Sequence, residues 1–332
     1  MVRLPGICLM LLALILSFAG NSRAGDAAGF TFADTAGKYL DVLLDGKIAA
    51  RYMYAHDTST PATRLETYKP YLHVYDAEGA APITKGAGGN YTHHRGIFIG
   101  WNKIAYDAKS YDLWHMKDAD IVHQKFLEQK GGPDQATFTS QNFWIIQKDK
   151  TLIEEERIFT IHRGPAPARL TIDVVSKLKA VAGDVQLDGD PEHAGVHFRP
   201  ANEIVAKETV YEFPKENADA HKDLDLSWIA ESYTLSGKRY SVVEISHPDN
   251  PKKMKTSAYR DYGRFGFFFV APIKSGETFT PKFRFIIADG EMPPVEAIQK
   301  SWDEFAGATG TPIPKLTVKP AEITAEKKPA AK

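Results

Sequence analysis

The chain has a single cysteine, Cys8, in 332 residues. That scarcity removes disulfide frameworks, thiolate metal sites, cysteine nucleophiles and iron–sulfur clusters from consideration. It also lacks an excess of either charge, with 41 Lys and Arg against 42 Asp and Glu. No basic stripe of the kind that tracks phosphates is present, so nucleic acid is not an expected partner. Beyond Leu9–Leu16 there is no long apolar run, and that run is shorter than the ~20 residues a spanning helix needs. Stable membrane insertion is therefore not expected. The glycine patterns of phosphate loops and dinucleotide folds, the nucleophile elbow and the zinc-protease helix are missing as well.

What is present begins with Arg3, the apolar run, and the small residues Ser22 and Ala24 around Arg23. Charged, apolar and small segments in that order predict a secretory signal peptide over residues 1–24 and a secreted or periplasmic location. Residues 25–310 are expected to form a single domain. Residues 311–332 are Lys-, Pro- and Ala-rich, which predicts a disordered tail.

The middle reads as β nearly throughout. Apolar and β-branched runs alternate with turns at Asp45-Gly46, Lys148-Asp149-Lys150 and Ser236-Gly237-Lys238, which predicts hairpins. A further hairpin is expected between Arg264–Ala271 and Thr278–Ala288. One helix is predicted after Pro293-Pro294, where Val295, Ile298, Trp302 and Phe305 recur at helical spacing before Gly307. The expected fold class is all-β: an antiparallel β-sandwich with one C-terminal helix. Glu154-Glu155-Glu156 with Arg157 reads as a solvated or cross-strand-paired face. Aperiodic stretches at 55–70, 76–92, 183–192 and 246–261 are long for a compact β domain, which suits ligand-binding loops.

Polar residues concentrate in three places. In Glu192-His193-Ala194-Gly195-Val196-His197-Phe198-Arg199, alternation puts Ala194, Val196 and Phe198 on a core face. His193, Gly195, His197 and Arg199 share the other face. Glycine within a strand marks close approach by a ligand or another backbone. His193 and His197 would sit ~13 Å apart along a strand, too far to share one metal ion. Contact with a polar ligand and an ordinary surface role both remain open. In the second cluster, His93-His94-Arg95 precedes Ile97, Ile99 and Trp101 on one face and Gly96, Phe98 and Gly100 on the other. His73 and His115 follow apolar or aromatic neighbours. In the third, Arg260, Tyr262 and Arg264 alternate onto one face, a pattern that suits sugar hydroxyls or a carboxylate.

These segments in this order, with His93-His94-Arg95-Gly96 and the stretch from His247 to Gly266 as the most specific parts, resemble the PmoA-like family of secreted bacterial proteins. The resemblance runs from about residue 40 to 290. That family is named after a membrane-embedded methane oxygenase subunit, whereas its members are similar to carbohydrate-active supersandwich proteins of the galactose-mutarotase type. The resemblance therefore implies a carbohydrate-active enzyme, a hydrolase, lyase or epimerase, using His and Glu as acid and base. It nominates His73, His93, His94, Arg95, His115, Glu192 and Arg264. With the residues read from the pattern, His94, His115, Glu192 and His197 are the expected catalytic groups, and His73, His93, Arg95, Trp101, His193, Arg199, Tyr262 and Arg264 are expected to contact a small-molecule or oligosaccharide ligand. No metal ligands and no cofactor are assigned. The alternatives are a non-catalytic carbohydrate-binding protein and a His-ligated, oxygenase-like metal protein.

Overall fold

The computed structural model describes residues 28–323, so the expected signal peptide and residues 324–332 lie outside the described residues. Two large antiparallel sheets face each other. Sheet I has eight strands in the order Phe30–Thr35, Tyr39–Leu44, Lys47–Met53, Tyr71–Val74, Gly96–Trp101, Ala194–Arg199, Phe265–Phe268 and Lys255–Ser257. Sheet II runs from Thr317–Pro320 through Val210–Phe213, Trp228–Leu235, Lys238–Ser246, Lys282–Asp289, Ala168–Ala180, Lys150–Arg163 and Gln135–Ile146 to Ala119–Lys130, with Thr278–Phe279 as a side branch. A four-stranded sheet of Ala271–Ile273, Val185–Asp188, Lys103–Tyr106 and Lys109–Tyr111 completes the β structure. This is the expected antiparallel sandwich.

One apolar core runs between the two large sheets. Sheet I contributes Leu40, Val42, Leu72, Ile97, Ile99, Trp101, Val196, Phe198 and Phe265, and sheet II contributes Phe138, Trp144, Phe159, Ile172, Tyr233, Val242 and Phe285. The outer face of sheet II is covered by the helix Val295–Ala306, whose Ile298 is buried against Trp228, Val243, Ile245 and Ile286. Gly307 ends that helix in the left-handed conformation, φ 65°, which costs glycine least. The helix expected from the pattern is therefore present, and it leaves the outer face of sheet I for other uses.

Four expectations need correction. The segments Arg264–Ala271 and Thr278–Ala288 do not pair: Phe265–Phe268 belongs to sheet I and Lys282–Asp289 to sheet II. An apolar run that is buried on both faces does not say which sheet it joins. A second helix, Pro61–Thr67, sits in the stretch read as loop. Its start is a capping box in which Thr60 Oγ1 accepts from Thr63 N at 3.1 Å and Thr63 Oγ1 accepts from Thr60 N at 3.1 Å. The tail begins as a strand, because Thr317–Pro320 pairs with Val210–Phe213. Finally, Glu155 and Arg157 are not solvated. They point between the sheets and are 0% and 2% exposed.

That buried pair is fully bonded. Arg157 Nε and Nη2 donate to Glu155 Oε1 and Oε2 at 2.8 and 2.7 Å. Ser176 Oγ donates to Oε1 at 2.6 Å and Trp144 Nε1 to Oε2 at 2.8 Å. Arg157 Nη1 also donates to Pro70 O at 3.2 Å, which ties sheet II to the backbone leading into a central strand of sheet I.

Candidate functional site

The floor of the site is the outer face of sheet I. Alternation along Ala194–Arg199 sends Ala194, Val196 and Phe198 into the core and His197 and Arg199 to this face. Along Gly96–Trp101, Phe98 alone carries a side chain outward, flanked by Gly96 and Gly100. A Cβ on Gly100 would lie 2.4 Å from Leu113 O. Its absence lets the loop that follows Tyr111 lie flat on the sheet. Trp114 thereby packs on Phe98 and on His197, each with ring centroids 4.8 Å apart. The close approach expected at Gly195 is made by a neighbouring strand rather than a ligand: a Cβ there would lie 1.8 Å from Phe267 O.

Four imidazoles form a contiguous row above this floor. Ring centroids are 4.2 Å apart for His93 and His94, 4.4 Å for His93 and His115, and 5.1 Å for His115 and His193. His115 and His193 are oriented in the same way. Asp112 Oδ2 accepts from His115 Nδ1 at 2.8 Å, and Asp190 Oδ1 accepts from His193 Nδ1 at 2.8 Å. In each case the carboxylate lies three residues before the ring. It is fixed by backbone N–H groups of the same turn, those of Trp114 and His115 on Asp112 and that of Glu192 on Asp190. Burial pushes both Asp carboxyls up, but the hydrogen bonds from the His side chains and the backbone outweigh it, and both stay below the usual carboxylate range. An ionised carboxylate needs the proton on Nδ1, so Nε2 of each ring is the lone-pair nitrogen. Both rings are partly exposed.

His197 lies underneath and is fully buried. Its Nε2 donates to Ala194 O at 2.8 Å, which leaves Nδ1 to accept from Arg264 Nη1 at 3.0 Å. Arg264 Nη2 donates to Ser257 Oγ at 2.9 Å. His197 is thus a neutral positioning group for Arg264, and it has no nitrogen left for acid–base work. Glu192 accepts from Tyr259 Oη at 2.7 Å and from Arg260 Nη2. Burial raises its carboxyl, yet those two bonds and the charge of Arg264 hold it below the usual range, so it is a bound anion rather than a free acid.

The structure brings His93, His94, His115, Glu192, His193, His197, Arg199, Tyr262 and Arg264 to one region. Three nominated residues serve elsewhere. Trp101 is buried in the inter-sheet core with Nε1 donating to Phe269 O at 3.1 Å. Arg95 donates from Nε to Thr92 O at 2.7 Å, from Nη1 to Glu66 O at 2.7 Å and from Nη2 to Leu65 O. It caps the C-terminal end of the helix Pro61–Thr67, where a cation is favoured. His73 meets Thr84 Oγ1 at 2.9 Å and packs against Tyr71. Sequence reasoning passed over Asp112, Asp190 and Lys69. The signal for the first two was legible as a repeated Asp-x-x-His spacing. Lys69 lay in an aperiodic stretch. It is buried over the Phe98 ring at 4.6 Å with Nζ donating to Trp114 O at 3.0 Å, and burial depresses it well below the usual lysine range.

Among the described residues, no group of three or more His, Cys, Asp or Glu side chains is arranged to hold a metal ion. Arg264 adds positive charge beside the imidazoles, which works against a bound cation. An open cavity of about 620 Å³ lies away from this row, lined by Arg64, Asp120, Ile145, Gln147 and Lys148. Its Arg64 and Asp120 are paired with each other at 2.7 Å, and it contains none of the site's histidines.

Burial is the main reason that His73 is lowered to about 4 and His93 to about 2, with His94 and His197 also held well below the usual value; Arg51 adds to the shift at His73, Lys69 at His93 and Arg264 at the other two. These rings stay neutral in the fold but protonate near 6.5 when unfolded. The unfolded chain therefore binds more protons below that pH, and stability present above it is lost as pH falls toward the folded values. The expected slope is about 1.4 kcal/mol per pH unit for each ring that remains neutral, offset by slopes of opposite sign from Glu231 and Glu244, whose buried carboxyls are raised well above the usual range. Thermal unfolding at pH 7, 6 and 5 checks this. The four rings outnumber those two carboxyls, so a melting temperature that does not fall across that range would show that rings protonate within the folded protein.

Among the described residues no helix is long and apolar enough to cross a membrane. A search of curated proteins finds no match. Among solved structures the chain is similar to heparan sulfate lyase HepC from Pedobacter heparinus, at 11% identity and a TM-score of 0.38, with 81% of this chain and 36% of that one covered. It is also similar to a galactose 1-epimerase from Lactobacillus acidophilus NCFM, at 9% identity and a TM-score of 0.31, with 79% and 95% covered. The chain thus spans about a third of the length of the lyase, and at these scores the likeness carries no argument about activity. Residues 39–303 match the model of DUF6807, a family of unknown function, and the chain belongs to that family.

Proposed function

We propose that the protein is an enzyme that acts on a glycoside or modified sugar outside the cytoplasm, with His115 and His193 as its acid–base pair. The supporting observation is the matched pair of Asp-backed imidazoles, ring centroids 5.1 Å apart, each presenting Nε2 from a partly exposed ring. One ring in its neutral form takes a proton from a substrate hydroxyl or carbon. The other, in its protonated form, delivers one to the departing or carbonyl oxygen. Glu192, nominated from sequence as an acid or base, instead fixes Tyr259 and Arg260. The sugar reading draws on Tyr91 and Tyr262 beside donors from His and Arg, since aromatic faces with a few convergent polar groups suit a pyranose. The secreted or periplasmic location rests on the leader-like pattern of residues 1–24.

The test is a thermal-shift screen of oligosaccharides and keto-sugars, followed by product analysis on every hit. His193→Gln is expected to lower product formation about a hundredfold or more, the low end for a lost general acid or base, with the melting temperature nearly unchanged. Ligand binding without turnover would leave a carbohydrate-binding role and sink the enzymatic one.

A further inference from the structure

The ring of Tyr262 is the centre of a cationic corner that the acid–base pair does not use. The guanidinium carbon of Arg199 lies 4.9 Å from the ring centroid and that of Arg264 6.0 Å. The His94 ring lies 6.1 Å away and is nearly parallel to it, with an interplanar angle of 21°. All three side chains are at least nine-tenths buried. Each also has a nitrogen without a hydrogen-bond partner: Nε of Arg199, Nε of Arg264, and both Nδ1 and Nε2 of His94. The bonds these residues do make are to neutral groups. Arg199 donates to Pro200 O, Tyr262 O and Asn202 Oδ1, and Arg264 to His197 and Ser257. The nearby Glu231 carboxyl makes no hydrogen bond to either arginine, and burial raises it well above the usual carboxyl range, which disfavours its charged form. Arg260 is engaged with Glu192. Asp261, in the same turn, is half-buried.

A buried N–H left unpaired is costly, and several in one corner are tolerated where a ligand completes them. What would complete these is an acceptor with negative charge. The cover over the corner is Tyr91, whose ring is tilted against Tyr262 at 4.8 Å and stacked on His94 at 5.5 Å although half of its surface is exposed. It stands at the end of Gly86-Ala87-Gly88-Gly89-Asn90, where Gly88, Gly89 and Tyr91 all have positive φ. Its side chain covers the corner through ring contacts with His93, His94 and Tyr262, so rotation of that side chain uncovers the corner without moving the sheet.

Resting on the sugar reading above, we propose that this corner is a recognition subsite for an anionic group carried by the sugar, a carboxylate or a sulfate, admitted when Tyr91 moves aside. The anion accepts from Arg264 Nε and His94, while His115 and His193 act on the adjoining bond.

Isothermal titration of the full chain with galacturonate and glucuronate oligosaccharides, a sulfated disaccharide, and their neutral counterparts tests this. Sodium acetate and sodium sulfate are titrated separately. Anionic sugars are expected to bind at least about tenfold tighter than neutral ones, with the preference shrinking as NaCl is raised. Arg264→Gln is expected to erase the preference. Because that variant could unfold, Tyr91→Gly, at an exposed tip with φ 53°, is measured alongside and is expected to speed association of the anionic sugar. Equal or tighter binding of neutral sugars overturns the subsite and leaves the sugar reading standing. Binding of acetate or sulfate with no sugar response supports the subsite and overturns the sugar reading. Silence from every ligand overturns both.

Discussion

Gly195→Ala is expected to destabilise the protein by about 4 kcal/mol or more, the range reserved for a few named mechanisms. The new Cβ would lie 1.8 Å from Phe267 O and 2.9 Å from Phe267 C, both backbone atoms of the next strand in sheet I. No rotamer change can relieve such a contact. The strands Ala194–Arg199 and Phe265–Phe268 must part, and the pairing of Val196 with Phe267 and of His197 with Gly266 is lost with them. The residue also has φ +99°, a region that adds strain of roughly 1–3 kcal/mol for alanine. Gly237→Ala is the control. It has positive φ too, but nothing lies within 4 Å of its Cβ, so only the conformational cost remains. Urea unfolding of both variants checks the argument. A Gly195→Ala protein within about 1 kcal/mol of the parent would mean that the strands are not packed as described. The same substitution disorganises the site, because His197 and Arg264 sit on those two chain segments.

Arg157→Met should cost about 3–5 kcal/mol, the loss expected when one partner of a buried ion pair is removed. Glu155 would keep donors from Ser176 and Trp144 but lose the guanidinium that balances its charge. Pro70 O would lose its donor at the same time. The double replacement Glu155→Met with Arg157→Met is expected to recover much of the loss, because desolvating two charges is itself expensive. Thermal unfolding of single and double variants separates these terms. A double variant as weak as the single one would show that the bonds to Pro70, Ser176 and Trp144 matter more than the charge.

Much of the architecture was legible because period-two alternation needs no tertiary information. It assigned His197 and Arg199 to one face, and Val196 and Phe198 to the other, as found. The hairpins at Asp45-Gly46 and Ser236-Gly237 were legible from turn chemistry. Glu155 was misread because a run of three carboxylates reads as a solvated or paired face, although Glu155 shares parity with the buried Phe159 and Ile161. A bulge lies between Thr151 and Ile153. There Leu152 and Ile153 are both buried, and the parity that follows sends Glu155 and Arg157 inward. The helix Pro61–Thr67 buries no residue, so it has no apolar periodicity to detect. At the site, residue types pointed to the right segments, but roles depended on partners far along the chain. Tyr259 and Arg260 take Glu192 from 67 and 68 residues away, and Arg264, 67 residues on, occupies the one nitrogen of His197 that Ala194 O leaves. No spacing rule encodes such engagements.

The orientation of His115 and His193 is written in four consecutive residues each, since the carboxylate, the backbone donors that pin it and the imidazole it aims all belong to one turn. Such a unit is portable. Loops on either side can lengthen or shorten between relatives without re-aiming the ring, and Asp-Leu-Trp-His or Asp-Pro-Glu-His grafted onto a different sheet would carry its imidazole already pointed.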